Sequence, residues 1–318
     1  MAAIFANIRQ QQVNDTNPNG RQCQYDILHI STNAIGTKIA NTRDDKAIRI
    51  WKLVALGPTD CVLIPSGHAE PVKRISWLPT SDNRFASVGG DGYLKLWTLA
   101  GTLEREIRVS TERTENKFRL VDYSVDGLYL SLTNEDTLVI LDVNDGYKKV
   151  HEMQFSDAIS EVKWLNDPHT LLVGLVNGCI NFLQLKENLE VVYTLSGPRS
   201  AVNCIAIDPK GRFICAGNED GIVFFYNTAD LQNSKTITKV DESITSLDII
   251  KDGNYVAVGY EKDCNIHIYE CGTLEKIHEI KDPSCKVLKL PLFKWLPTVN
   301  GYIYTSNQNR LMNVARKA

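Results

Sequence analysis

One short pattern recurs along the chain, and its spacing constrains the fold more than any other feature of the sequence. Short apolar runs end at positions 51, 97, 141, 183, 226 and 269, in steps of 46, 44, 42, 43 and 43 residues. One further step of 43 residues reaches Met312, inside another apolar run. A period of about 40–45 residues, with four strands in each unit, is typical of a β-propeller blade. The spacing therefore predicts seven blades.

The clearest unit contains three short runs, at residues 72–77, 85–87 and 94–97, with a turn at Asp91-Gly92 before the last of them. Alternating β-branched or aromatic runs that are separated by turn residues predict strands. A helical fold is excluded because no window sustains a 3.6-residue period over three turns. A parallel α/β fold is excluded because no crossover helices separate the strands.

We therefore predict an all-β chain that forms one seven-bladed WD40-type β-propeller over residues 1–318. The sequence runs only just past the third strand of the last blade, so we expect an N-terminal strand to close the ring. We place this strand around Ile4 to Ile8 and expect a loose polar linker from Gln10 to Gly20. The predicted segments are an N-terminal clasp and linker at 1–25 and blades at about 26–65, 66–108, 109–153, 154–195, 196–238, 239–280 and 281–318.

Blade 2 carries His68, Ser87, Asp91 and Trp97, residue types that could suggest a serine-hydrolase triad. A serine nucleophile is typically exposed on a strand-to-helix elbow beside an oxyanion hole, and no such elbow is predicted. In WD repeats these positions form a buried hydrogen-bond chain whose members satisfy one another. We interpret the four residues as this structural network. Other blades have lost the indole donor and carry the following residues at the Trp97 position: Leu141, Leu183, Tyr226 and Tyr269.

Two further motifs resemble ligand-binding sites, but we interpret both as structural. Cys264, His267 and Cys271 lie on one predicted strand and its turn, without a second ligand pair of zinc-knuckle spacing. The glycine-rich run at residues 89–92 is followed by no lysine or helix of a phosphate-binding loop, so we expect a tight turn. The inward-facing acids or histidines of a propeller enzyme do not recur either. We predict no catalytic, cofactor-binding or metal-binding residue, and hence no enzyme and no small-molecule substrate.

Five cations cluster between blades 2 and 3, and four glutamates interrupt them: Arg105, Arg108, Arg113, Lys117 and Arg119, with Glu104, Glu106, Glu112 and Glu115. Mixed signs of this kind favour a solvated outer strand and loop. The alternative is a contact patch for an acidic partner or for an RNA backbone.

Composition excludes several other classes of protein. A formal net charge of −3 gives no global basic field for nucleic acid. No run reaches the roughly 18 apolar residues of a membrane span, and we expect no signal peptide. The eight cysteines are spread evenly and do not indicate a disulfide framework. We expect a location in the cytosol or nucleus.

Several stretches resemble the WD-repeat subunit family of the THO complex, known as THO complex subunit 3. The most specific is Asn177-Gly178-Cys179-Ile180-Asn181, and the others lie at residues 67–79, 202–211, 216–221 and 226–231. Blade 3 departs from the family pattern at residues 120–123, and most blades lack the tryptophan, so we identify the chain as a divergent, fungal member.

The resemblance implies a nuclear scaffold of the THO/TREX assembly, which couples transcription to messenger-RNA packaging and export. Its implied partners are large α-helical THO subunits and, indirectly, a DEAD-box RNA helicase and RNA. The alternative is a WD-repeat adaptor of another assembly, such as a ubiquitin-ligase substrate receptor or a chromatin-modifier subunit.

Overall fold

Seven four-stranded antiparallel sheets build the chain in a computed structural model. The structure describes residues 5, 7–13, 15, 23–55, 57–109, 117–261, 265–282, 290–297 and 301–317. Within these residues there is no α-helix, and therefore none that is long and apolar enough to cross a membrane. The predicted all-β, seven-bladed fold is confirmed.

Each blade takes four strands, which we number along the chain. The strands of blades 1 to 3 are β2 Ile27–Thr32, β3 Lys38–Arg43, β4 Ile48–Val54, β5 Gly57–Ile64, β6 Val72–Trp77, β7 Arg84–Gly89, β8 Tyr93–Thr98, β9 Leu103–Arg108, β10 Leu120–Tyr123, β11 Tyr129–Thr133, β12 Thr137–Asp142 and β13 Lys148–Gln154. The strands of blades 4 to 6 are β14 Ile159–Trp164, β15 Thr170–Leu175, β16 Ile180–Leu185, β17 Leu189–Leu195, β18 Val202–Ile207, β19 Phe213–Asn218, β20 Val223–Asn227, β21 Asn233–Ile237, β22 Ile244–Ile249, β23 Tyr255–Tyr260, β24 Ile266–Glu270 and β25 Lys276–Ile280. Blade 7 consists of β26 Phe293–Trp295, β27 Gly301–Ser306, β28 Leu311–Lys317 and the N-terminal strand β1 Ile8–Gln12.

The first strand of each blade lies innermost. Neighbouring first strands contact one another around the ring, and β26 of blade 7 reaches β2 of blade 1. The third strands carry the residues whose spacing predicted the repeat, from Trp51 on β4 to Met312 on β28. The sequence period is therefore the blade period.

A β-bulge recurs where the third and fourth strands pair. The register shifts between Leu96 and Trp97 in blade 2, and the shift falls at the matching position in blades 3 to 6. Since a bulge increases the local twist of a strand, its repetition gives successive outer strands a similar twist.

The hydrophobic core is divided into seven clusters, and each lies between two neighbouring blades. The cluster between blades 2 and 3, for example, joins Val88 and Leu96 to Phe118 and Leu132, and the others are built alike. Because both faces of a blade are covered, its inner strands are apolar at most positions. Packing between blades thus supplies the main part of the core.

The N-terminal strand closes the ring as predicted, but it lies further along the chain than predicted. Strand β1 covers Ile8–Gln12 and pairs with β28, so the expected strand around Ile4 to Ile8 and linker from Gln10 were wrongly placed. Ile4 lies outside the described residues. An outermost strand is exposed on both faces and needs no apolar alternation, so its polar glutamines did not indicate a strand.

Candidate functional site

The four polar residues of blade 2 lie in one hydrogen-bonded chain. Trp97 Nε1 donates to Ser87 Oγ at 2.8 Å, and Ser87 Oγ lies 2.7 Å from His68 Nε2. His68 Nδ1 lies 2.9 Å from Asp91 Oδ1. All polar atoms are satisfied when Ser87 donates to His68 and His68 Nδ1–H donates to Asp91. His68, Ser87 and Trp97 are buried, so the serine hydroxyl is closed to a substrate.

Asp91 is the last member of this hydrogen-bond network and also binds the backbone of two loops. Its carboxylate accepts the backbone N–H groups of Ala69 and Tyr93. Burial opposes ionisation of Asp91, but the hydrogen bonds from His68 and these amides outweigh it and lower its pKa to about 2. The carboxylate therefore fixes the turn at residues 90–92, where Gly92 has a φ of 78°.

The depressed pKa of Asp91 predicts a loss of stability in acid. Its ionised form contributes on the order of 2 kcal/mol above the unfolded pKa, and this is lost as the pH falls from about 4 to about 2. Urea denaturation of the wild type and of Asp91→Asn between pH 7 and pH 2.5 checks this. The stability gap between the two should narrow as the pH falls, and a constant gap would contradict the assignment.

Blades 3 to 6 lack the hydrogen-bond network found in blade 2. The positions that match Ser87 in blades 4 and 5 are Val173 and Ala216, which offer no hydroxyl. Blade 3 has a different link, because Trp164 of blade 4 donates to Ser131 Oγ at 3.2 Å across the blade boundary. The sequence pattern pointed to tryptophan on third strands and missed this donor on a first strand.

A buried ionic cluster in blade 1 was also missed. Asp15, just after β1, contacts both Arg43 and Arg49, whose side chains are fully buried. The distances from Asp15 to Arg43 Nε and to Arg49 Nε are both 2.7 Å. Arg49 also pairs with Asp45. Burial opposes the charge of Arg49, but the bond to Asp45 and the nearby Asp15 outweigh it and raise its pKa.

This cluster, which we call the blade 1 ion cluster, shares one aligned position with the blade 2 network, that of Asp91. Arg43 aligns with Gly89, Arg49 with Lys95 and Asp45 with Asp91. Asp15 comes from outside the blade and ties the N-terminal segment to blade 1 while Val13 N–H donates to Met312 O in blade 7. The available signal was two arginines at core positions of one repeat, which require carboxylate partners.

Acids and a histidine face the central channel, although no such set recurs from one repeat to the next. His29, Glu161 and Asp248 line a cavity of about 270 Å³ together with Arg74, Lys163 and Lys294. These six residues come from five first strands, β2, β6, β14, β22 and β26, and no residue type is common to all five, so no repeat in the sequence marks the channel.

The channel acids are paired with cations. Arg74 Nη2 donates to Glu161 Oε1 at 2.8 Å from across blade 3, and Lys294 Nζ donates to Asp248 Oδ1 at 2.8 Å. Burial and the nearby cations lower the pKa of His29 well below its ordinary value. Its Nδ1 accepts the Ile75 N–H at 3.3 Å. These pairs tie the inner strands together. No group of three potential metal ligands occurs among the described residues.

The described members of the cationic patch lie on two elements, β9 and the segment before β10. Arg105 and Arg108 lie on β9, where Arg105 Nη1 donates to Gly146 O of blade 3 at 3.0 Å. Lys117 and Arg119 precede β10 and are exposed, and Arg113 lies outside the described residues. Two of the interrupting glutamates have cation partners of their own, since Glu104 pairs with Arg84 and Glu106 with Lys95. The patch stays a prediction.

The Cys264, His267 and Cys271 motif and the glycine-rich run at residues 89–92 were both interpreted as structural. His267 and Cys271 are buried, with His267 Nδ1 3.2 Å from the Tyr269 hydroxyl, while Cys264 lies outside the described residues. Burial raises the pKa of the Cys271 thiol to about 12. The glycine run forms a turn, and a Cβ at Gly89 would lie 3.2 Å from the His68 ring.

The outer strand of blade 4 exposes three consecutive apolar residues. Val191, Val192 and Tyr193 on β17 are 45%, 53% and 46% exposed. Strand β9, in the same position of blade 2, instead alternates glutamate and arginine over most of its length. Edge strands are commonly protected by charge, so an apolar one is suited to contact with another protein.

Three segments of the chain match the family described as WD domain, G-beta repeat, at residues 59–98, 189–227 and 233–270. The second and third matches begin on the outer strand of one blade and end on the third strand of the next. The sequence repeat is therefore one strand out of phase with the blade. This offset explains why the last blade borrows its outer strand from the N-terminal segment.

Two curated relatives and one solved structure are similar to the chain. THO complex subunit 3 of Arabidopsis thaliana is 28% identical over 88% of this chain and 86% of its own length. Pre-mRNA-processing factor 19 of Dictyostelium discoideum is 22% identical over 80% of this chain and 51% of its own length. The crystal structure of the Myceliophteria thermophila Cps50 (Swd1) β-propeller domain superposes with a TM-score of 0.76 at 16% identity, covering 98% of this chain and 100% of that one. The chain is thus a seven-bladed β-propeller of the WD-repeat type.

Proposed function

We propose that the chain is a non-catalytic protein-interaction scaffold of the THO/TREX type, acting in transcription-coupled messenger-RNA packaging and nuclear export. The similarity to THO complex subunit 3 carries this proposal, because it extends over most of the length of both proteins. The proposed partners are large α-helical THO subunits and, through them, a DEAD-box RNA helicase and RNA. The proposed location is the nucleus, and the fungal origin stays a prediction.

Three features of the described residues support a scaffold. The blade 2 network is buried and satisfies its own polar atoms, so we propose that His68, Ser87, Asp91 and Trp97 serve the fold. The channel carboxylates are paired with Arg74 and with lysines, which leaves them poorly placed for acid–base chemistry. The exposed apolar strand β17 offers a surface for another protein.

The second candidate is a WD-repeat adaptor of another assembly. It is favoured by the similarity to Pre-mRNA-processing factor 19, which matches over most of this chain. The matched region is only about half of that protein, so functions of its unmatched half are not transferred to this chain.

Affinity purification of the tagged chain from nuclear extract, with and without nuclease, tests the proposal. We expect large α-helical subunits to co-purify in stoichiometric amounts after nuclease treatment, because the propeller would contact protein directly. RNA and a DEAD-box helicase should decrease with nuclease. An unrelated propeller with the same tag is the control. Recovery of ubiquitin-ligase or chromatin-modifier subunits alone would favour the second candidate and contradict the first.

A further inference from the structure

A small pocket lies where the ring closes, between the outer part of blade 7 and the β4–β5 turn of blade 1. Its volume is about 260 Å³. Its walls come from two paired strands of blade 7 and from the turn, through these residues: Arg9, Gln11, Val314, Arg316, Lys317 and Gly57. Gly57 has a φ of 128°, and the side chain of Gln11 occupies the space that its Cβ would take. The turn and β1 are thus in close contact.

The pocket is strongly cationic. Arg9, Arg316 and Lys317 line it, and none of its described lining residues is acidic. Elsewhere in the described chain, partly exposed arginines such as Arg84 and Arg212 have carboxylate partners. Arg9 and Arg316 are on one face of the β1–β28 pair, because they lie opposite each other, whereas Lys317 lies opposite Ile8 at the rim, so two guanidinium groups meet here on a protein whose net charge is −3.

The strand register places two of these charges face to face. Arg9 lies directly opposite Arg316 in the β1–β28 ladder, so both side chains leave the same face of the sheet. Like charges directly opposite each other destabilise a sheet. Arg316 is also partly buried and donates to Val54 O. Destabilising contacts that no neighbouring group offsets are expected at functional sites. A bound anion would offset the repulsion between Arg9 and Arg316.

We propose that this pocket binds the phosphoryl group of a phosphorylated serine or threonine in a partner protein. The inference rests on the proposed scaffold function and names one kind of contact that the scaffold makes. A phosphomonoester carries a charge of about −1.5 to −2 and three acceptor oxygens, which paired guanidinium groups bind through charge-assisted hydrogen bonds. The pocket is large enough to admit one such group.

The same features favour a phosphoprotein over a nucleic acid. The two arginines meet at one pocket, whereas a nucleic-acid backbone is normally followed by a stripe of cations. No aromatic residue is found among the described lining residues, so no aromatic ring offers a base a stacking surface there. Strand β1 is the outermost strand of its sheet among the described residues, and an extended peptide beside the phosphate would pair with its outer edge.

Binding to the purified full chain tests the proposal. The probes are the peptide Gly-Ala-Val-phosphoserine-Val-Ala-Gly, its unphosphorylated form, inorganic phosphate and a random single-stranded RNA of about 12 nucleotides. We expect the phosphopeptide to bind at least about tenfold more tightly than the unphosphorylated peptide and than free phosphate. Arg9→Gln should weaken it by about tenfold or more, while the matched control Arg199→Gln, an exposed arginine before β18, should leave it unchanged.

Thermal denaturation separates a binding role from a structural one. Arg9→Gln removes a like-charge contact, so its Tm should equal or exceed that of the wild type. A lower Tm with unchanged phosphopeptide binding would overturn the proposal, as would equal binding of both peptides or tighter binding of RNA that Arg9→Gln abolishes. The assay uses the isolated chain, so it can succeed or fail whichever assembly is purified from nuclear extract.

Discussion

Asp15→Asn is expected to destabilise the protein by about 3–5 kcal/mol, the largest effect of any single substitution considered. The carboxylate of Asp15 lies between the guanidinium groups of Arg43 and Arg49, which are fully buried. The amide is nearly the same size but carries no charge, so Arg43 would lose the carboxylate beside it, and Arg49 would lose Asp15 while it keeps Asp45. An uncompensated buried charge is costly because the interior solvates it poorly.

The measurement is urea denaturation followed by circular dichroism. Asp60→Asn is the matched control, because Asp60 pairs with Lys52 at 3.6 Å on the exposed surface of the same blade. An exposed pair contributes roughly 0–1 kcal/mol. Asp15→Asn should also make the N-terminal segment more sensitive to protease, since Asp15 ties this segment to blade 1. A loss equal to that of the control would show that the blade 1 ion cluster does not hold the ring closed.

His68→Ala is expected to destabilise the protein by roughly 1–3 kcal/mol, the next largest effect. The substitution removes the link between Ser87 and Asp91 and leaves the Ser87 hydroxyl and the carboxylate without their buried partner. It also opens a cavity beside Gly89, whose backbone packs against the imidazole ring.

His169→Ala is the control for this variant, because His169 is an exposed histidine in a turn of blade 4. Its effect should stay within about 0.5 kcal/mol. A double-mutant cycle with Ser87→Ala isolates the pair, and we expect a coupling energy of about 0.5–3 kcal/mol. Additive losses would show that the two side chains do not act as one network.

Some of the fold could be predicted from the sequence because it depends on local patterns. The spacing from Trp51 to Met312 predicted the seven blades, since each unit repeats the same turns and short strands. The four polar residues of blade 2 could be grouped because they fall within one repeat, and the structure brings them together. The partial loss of this pattern in other blades was also visible residue by residue.

Contacts between distant repeats could not be predicted in this way. Arg74 and Glu161 are 87 residues apart and meet only because two inner strands face one channel. Asp15 looked like part of a polar linker until the fold placed it beside Arg43 and Arg49.

The sequence by itself determined the period, the strand order within each blade and the apolar character of the blade interfaces. Each of these follows from the alternation of side chains over a few residues. Only the tertiary structure decided which polar strand closes the ring, which acids neutralise the buried arginines and where Arg9 meets Arg316. These features depend on closing a ring of about 300 residues, and closure joins side chains whose separation in the sequence follows no local rule.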